Sequence, residues 1–295
     1  MRYLDPVVLA KLKNLRFDLG RHISEGHLAG RHRSSRRGFS QEFAEHRAYV
    51  AGDEIKRLDW KVYARKDRFY IKEFQEEKSL KTYLLVDASG SMAYRGSGPE
   101  SKWELGSRLA MCMGYLVLAQ GDSAGMVTFD TATRRFLPPR QRLSHIELMD
   151  EVLAQTTPGG ETDLAGVLRR IVASLPRRSL IILVSDLLGD AHSLLETMRA
   201  FRARKHRVFI LQVLDRRERD LDLEGPVLFE ALEGRGELRC EVGLLRDSYR
   251  EAFERQQRLY TASFHRSGIH FATFYTDAPW EQGLAHFLAR QSASG

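Results

Sequence analysis

Cysteine is nearly missing from this sequence: two in 295 residues, Cys112 and Cys240, neither in a C-x-x-C pair. A disulfide scaffold is excluded, and reduced thiols in a cytoplasmic setting are expected. Long apolar runs are missing too. The longest, LAMCMGYLVLA from Leu109, falls well short of the roughly 20 residues a membrane helix needs, so no membrane span is expected. The first residues, MRYLDPVVLAKLKNLRFDLG, carry charges throughout and have no apolar centre, which argues against a signal peptide. No HExxH, GxSxG or Cys/His zinc spacing occurs, and the ten histidines are scattered, with His145, His192 and His265 reading as surface or helix-end residues. RGSGPESK (95–102) lies where a phosphate loop would sit, but Ser101 precedes Lys102 and Trp103 follows it, and the dinucleotide pattern lacks its third glycine. There is no fixed-period repeat and no low-complexity linker.

What is present is the composition of a globular chain, 43% apolar and 29% charged. The net charge of +7 is unevenly spread. Residues 1–80 hold 18 Lys and Arg against 12 Asp and Glu, whereas the remainder holds 28 against 27. Any acidic partner recognised by charge alone is therefore sought at the N-terminal end. Residues 36–74 interleave basic residues with Phe39, Phe43, Tyr49, Trp60, Tyr63, Phe69 and Tyr70. Nucleic-acid binding through residues 31–74 is one reading, with RHRSSRR (31–37) as its most basic part. Asp53, Glu54, Asp59 and Asp67 favour the other: local ion pairing, with the aromatics docking the segment onto the domain that follows.

Two textures divide the chain into an N-terminal extension, 1–79, and a regular domain, 80–292. From residue 80, short apolar strands alternate with helices. KTYLLVD (81–87), SAGMVTF (123–129), LIILVSD (180–186), RVFILQV (207–213) and IHFATFY (269–275) read as strands. Helices are expected over 101–121, 144–155, 163–175, 191–204, 247–268 and from Pro279 onward. Ser101 and Glu104 form a capping box, and Gly121 supplies a stop. This alternation predicts an α/β fold with a mainly parallel, doubly wound sheet covered on both faces. Ligands of such sheets bind beyond the carboxyl ends of the strands, at the point where strand order reverses.

Two strands end there in aspartate, Asp87 and Asp186. Asp87 opens D-x-S-x-S with Ser89 and Ser91, whose spacing lets a curled loop converge three oxygens. Thr162 follows a glycine-rich turn in PGGETDL. Two carboxylates and three hydroxyls from three loops suit a hard cation such as Mg²⁺, which takes about six oxygens and retains some waters. Such an ion would keep much of its charge and attract an outside carboxylate, giving a binding site that needs no base or nucleophile. Each piece also has a plain structural reading: an Asx-turn at Asp87, an N-cap at Thr162, a helix cap at Asp186.

VDASGSM, PGGETDL and LVSD, in that order, resemble the three motifs of a von Willebrand factor A domain with a metal-ion-dependent adhesion site. The resemblance covers roughly residues 80–290. It implies a sheet in the order 3-2-1-4-5-6 and a Mg²⁺ or Mn²⁺ held by Asp87, Ser89, Ser91, Thr162 and Asp186, with an Asp or Glu of a partner protein completing the shell. Upstream, Arg47, Tyr49, Gly52, Asp53, Asp59, Trp60, Lys61, Ala64 and Arg65 resemble the signature of the bacterial family catalogued as domain of unknown function 58. That resemblance implies a partnership with a MoxR-type AAA+ ATPase in protein maturation or remodelling, and a basic N-terminal extension packed on the A-like domain. Many relatives carry membrane helices upstream; none is read here, which points to a soluble form. The expected activity is thus non-enzymatic, metal-dependent protein binding. A competing reading is a phosphoester hydrolase using Asp87, although Ser89 stands where the dehalogenase-type D-x-D-x-T pattern has its acid/base aspartate. Residues 215–245 are left open as a hairpin or a partner-facing insertion.

Overall fold

β3 (Lys81–Asp87) forms because KTYLLVD is apolar on both faces, and every residue after Lys81 is buried. Tyr83 and Leu85 point to one side of the sheet and Leu84 and Val86 to the other, the period-2 pattern of a central strand. The computed structural model describes residues 1–12, 42–50, 58–66, 68–75, 80–96, 98–233 and 236–293. The basic run 31–37 and the acidic residues Asp53, Glu54 and Asp67 lie outside the described residues.

The chain divides into two compact units, Met1–Leu28 with Leu80–Gly295, and Ala29–Ser79. In the smaller unit β1 (Glu42–Ala48) pairs antiparallel with β2 (Tyr70–Gln75), with a register shift between Phe43 and Glu45. Between them lies α2 (Trp60–Lys66). Tyr49 N donates to Phe69 O and Asp59 N to Tyr70 O. Tyr63 stacks on Phe69 with ring centroids 4.4 Å apart, and Tyr49 meets the same ring edge-on. Four of the aromatics read as a docking face, Tyr49, Trp60, Tyr63 and Phe69, thus make ring contacts with one another within this unit.

In the larger unit, β3 is flanked by β4 (Ser123–Phe129) and β6 (Leu180–Ser185), both parallel to it. β7 (Arg207–Leu214) and β10 (His270–Tyr275) continue one side in parallel. β5 (Thr133–Arg140) closes the other side antiparallel to β4. The order across the sheet is β5-β4-β3-β6-β7-β10. Counted along the chain, the six strands of this sheet run 3-2-1-4-5-6, so the fold is doubly wound α/β, with the strand-order reversal between β3 and β6.

One face packs against α3 (Lys102–Ala119), α4 (His145–Ala154) and α9 (Trp280–Ala293) through Leu84, Leu109, Met149, Ile182 and Leu284. The other packs against α5 (Leu164–Ser174), α6 (Ala191–Ala203) and α8 (Val242–Arg266) through Leu85, Leu168, Leu183, Phe201 and Phe264. Fully burying such a side chain stabilises the fold by about 1.5–3 kcal/mol. Tyr3, Leu4 and Val8 join the first of these cores, with Val8 in α1 (Pro6–Leu12), so the start of the expected 1–79 extension belongs to the larger unit.

The helix ends follow local chemistry. Ser101 and Glu104 form the capping box on α3. Gly121 takes the left-handed conformation after it, at φ 86°. The cap of α5 is Asp163, whose carboxylate accepts from Gly166 N at 2.9 Å, and not its neighbour Thr162. Asp190 caps α6, accepting from Ser193 N, which leaves Asp186 free of a capping role. His145, at the start of α4, is buried and lies 3.1 Å from Pro138 O, so its place in the fold is interior and not surface. α8 begins at Val242, five residues earlier than expected, where β9 (Glu237–Glu241) runs straight into it. β9 pairs antiparallel with β8 (Pro226–Glu230), and the open segment 215–245 is in the main a short helix, α7 (Arg216–Asp220), followed by this hairpin.

Candidate functional site

Strand direction places Asp87, at the end of β3, and Asp186, just past β6, side by side on the carboxyl edge of the sheet. Both are almost fully buried. The Asp87 carboxylate accepts from Ser89 N at 3.0 Å and from Ser185 Oγ at 2.6 Å. After Ser89 the chain tightens into a 3-10 turn, Gly90–Ala93. That turn brings Ser91 Oγ within 3.1 Å of Ser89 Oγ. The two hydroxyls of the first loop therefore lie together, Ser89 being also the residue whose amide holds Asp87.

The second loop joins the first through paired backbone contacts. Gly159 N donates to Ala88 O, and Gly90 N donates to Gly160 O, each at 2.9 Å. Gly160 sits at φ 86°, a conformation L side chains avoid. Arg134 braces this loop from β5, with Nη1 2.6 Å from Thr157 O and Nη2 on Gly159 O, while its Nε holds Asp130. Thr162 thus faces the D-x-S-x-S turn. The two are bridged by one carboxylate, that of Glu233 from the loop after β8. Glu233 Oε1 accepts from Ser91 N at 3.3 Å and from Thr162 Oγ1 at 3.2 Å, and Oε2 accepts from Thr162 N at 3.0 Å.

Asp186 differs from the other four. Its Oδ1 accepts from Leu188 N at 3.1 Å, and its Oδ2 accepts from Lys102 Nζ at 2.8 Å. The Lys102 ammonium is fully buried and also holds Glu218 on α7. Burial alone would lower the Lys102 pKa, but the charges of Asp186 and Glu218 outweigh it and hold it above its ordinary value. Asp87 has no such partner: among the described residues it makes no ion pair. Burial, reinforced by the neighbouring Asp186 charge, pushes its carboxyl up to about 7, against the opposing pull of the Ser185 and Ser89 hydrogen bonds. Asp215, just past β7, completes a row of buried aspartates along this edge; it caps α7 and accepts from Thr276 Oγ1 at 2.6 Å.

The donor set around Asp87 is entirely oxygen, partly anionic, and short of positive charge. Those properties fit a hard divalent cation and do not fit a soft or imidazole-preferring metal. Three of the five residues, Ser89, Ser91 and Thr162, offer hydroxyls; among the described residues no cluster of three or more His, Cys, Asp or Glu gathers as a metal group. Ser185, Lys102 and Glu233 were not anticipated from sequence. Ser185 lies inside the strand motif LVSD. Lys102 carried no signal, because its partners lie 84 and 116 positions away. Glu233 stands in A-L-E-G, an acid before a glycine in a segment with no periodic pattern.

Similarity to known proteins is consistent in extent. "Uncharacterized protein Mb1516" of Mycobacterium bovis and "Uncharacterized protein Rv1480" of Mycobacterium tuberculosis are each 28% identical to this chain over 291 residues, spanning 97% of it and 90% of the relative. Among solved structures, the conserved hypothetical protein BatB from Bacteroides thetaiotaomicron aligns over 72% of this chain and 99% of its own, at 13% identity and a TM-score of 0.43. The SpRpn10 VWA domain aligns over 74% and 95%, at 11% identity and a TM-score of 0.40. At those scores the fold assignment rests on the strand order itself. Residues 45–262 match the family described as "Protein of unknown function DUF58", and with most of its length so matched the chain belongs to that family.

Proposed function

We infer that this chain is a non-enzymatic protein-binding adaptor whose carboxyl-edge site holds Mg²⁺ or Mn²⁺ and receives an Asp or Glu side chain of another protein. Asp87, Ser89, Ser91, Thr162 and Asp186 would hold the ion, directly or through water. When bound, the ion supplies a positive charge that an incoming carboxylate can share. The observation that carries this reading is Asp87, a buried carboxylate with hydroxyl and amide partners but no counter-cation among the described residues, at the strand-order reversal of the sheet. A carboxylate buried without positive charge is costly, and a bound cation removes that cost. The chain's own residues fix the geometry: Ser185 orients Asp87, the 3-10 turn aligns the two serines, and the glycine contacts set Thr162 opposite them.

Three further parts of the reading are proposals of the same standing. The partner system is a MoxR-type AAA+ ATPase, which supplies the energy for remodelling a bound client. The place of action is the cytoplasm; among the described residues no helix is long and apolar enough to cross a membrane. The basic excess of residues 1–80 serves contacts other than metal-dependent capture.

The test is thermal denaturation of the full chain with Mg²⁺ or Mn²⁺ against EDTA, in wild type and in Asp87→Ala. Metal at about 100 times its Kd raises wild-type stability by about 2.7 kcal/mol and leaves the variant unmoved. Co-purification with a MoxR-type ATPase, with and without EDTA, then tests the partner. Superimposable curves in millimolar metal, together with EDTA-insensitive co-purification, remove the metal-dependent reading.

A further inference from the structure

The carboxylate that bridges Ser91 and Thr162 belongs to the chain itself. Three donors from two loops converge on Glu233: Ser91 N, Thr162 N and Thr162 Oγ1. Two backbone amides and a hydroxyl aimed at one point form a small anion cradle, the arrangement that loops use to hold carboxylates and phosphates. The acid comes from far along the chain, 142 positions from Ser91 and 71 from Thr162. The contact continues beyond the side chain. Gly90, in the same turn as Ser91, has no room for a Cβ, which would press into the Leu232 carbonyl oxygen. The Leu232–Glu233 backbone therefore lies directly on the D-x-S-x-S turn.

The carrier of Glu233 is built as an appendage. β8 and β9 pair only with each other, as a separate two-stranded sheet. Their residues are half-exposed to exposed and join neither of the two cores. Ala231 N donates to Gly236 O across the hairpin end, which presents Leu232 and Glu233 at its tip. A lone two-stranded hairpin is of marginal stability in water. Seating Glu233 thus contributes to ordering the hairpin, and the cost of unseating it is confined to this appendage.

We propose that Glu233 is an internal ligand: the β8–β9 hairpin occupies the site's carboxylate cradle, and an acidic partner loop binds by displacing it. This rests on the protein-binding reading above and names its ligand class, a carboxylate side chain carried at the tip of a tight turn, as Glu233 is here. Shape selects that class. The residue before the acid must pass its backbone over Gly90, and the acid must reach two amides on different loops. A partner therefore meets a closed site, and its apparent affinity is reduced by the fraction of time the hairpin is away.

The probe is a synthetic peptide of residues 228–239, LFEALEGRGELR, cyclised end to end and fluorescently labelled. It is titrated in Mg²⁺ into the full-length protein as wild type, Glu233→Ala and Glu233→Ala/Thr162→Ala. The expected result is binding to Glu233→Ala at least about tenfold tighter than to wild type, corresponding to a cradle open a tenth of the time or less. Replacing the glutamate of the peptide that corresponds to Glu233 by glutamine, or adding Thr162→Ala to the protein, should abolish the gain. Hydrogen exchange of residues 226–241 should be faster in Glu233→Ala than in wild type. Equal binding to wild type and Glu233→Ala, no binding to either, or indifference to the peptide's glutamate overturns the proposal. Repeating the Glu233→Ala titration in EDTA separates the two readings. Binding that persists unchanged sustains the cradle and sinks the metal; binding lost in EDTA supports both.

Discussion

Asp87 and Asp186 leave neighbouring parallel strands, and both are buried, yet their charges are met in different ways. Asp186 faces a buried ammonium, Lys102, which it shares with Glu218. Among the described residues Asp87 accepts from the Ser89 amide and the Ser185 hydroxyl and makes no ion pair. One side of the site is thus neutralised from within the chain and is structural in character. The other carries a deficit of positive charge beside the two serines and Thr162. On the metal-binding reading proposed above, the cation would sit on the Asp87 side, with Asp186 as the outer and already compensated wall.

The comparison breaks hardest at Lys102. Lys102→Met leaves Asp186 buried and Glu218 half-buried without their shared counter-charge, and should cost about 3–5 kcal/mol in urea denaturation. A loss under about 1 kcal/mol would mean that the internal neutralisation is unimportant. Asp87 should answer to pH instead. Burial and the neighbouring Asp186 charge push its native carboxyl up to about 7, while the unfolded one lies in the ordinary aspartate range, about 3.9. Between these values the native state holds the proton that the unfolded state has released, so metal-free stability should fall as pH rises through that window and level off above it. In EDTA, Asp87→Asn should flatten this slope, and saturating Mg²⁺ should offset it in wild type; parallel pH profiles for wild type and Asp87→Asn would contradict the asymmetry. Smaller effects are expected in the glycines. Gly90→Ala should cost about 1–3 kcal/mol through overpacking against Leu232 and Gly160. Gly159→Ala, where an added methyl meets open space, should stay within about 0.5 kcal/mol. Equal costs for the two would show that the Gly90 contact does not constrain the turn.

The parts of this architecture legible in sequence are those whose signal is local. β3, β6 and β7 are apolar runs buried on both faces, and α3 announces itself by its capping box. The strand order came from family resemblance and not from the pattern of residues. β5 had no readable signal, because TRRFLPPR carries three arginines and two prolines and is exposed along most of its length. It is a strand by virtue of its neighbour β4. At the site, Asp87, Ser89 and Ser91 lie on one turn, so their spacing foretold their meeting. Lys102 and Glu233 did not reveal themselves, since each acts on a partner brought near only by the completed fold. Thr162 is the instructive intermediate: its place beside the first loop follows from paired glycine contacts, but its hydroxyl is engaged by an acid that no motif contained.

The proline-bearing margin of the sheet has a consequence of its own. Pro138 and Pro139 offer no amide hydrogen to an approaching chain, and Arg134, Arg135 and Arg140 line the same outer strand. Such a border resists templated growth, because a second molecule adding there would find gaps in the ladder and a row of like charges. Fibrillar self-association, the standing hazard of open sheets, is thereby discouraged at β5.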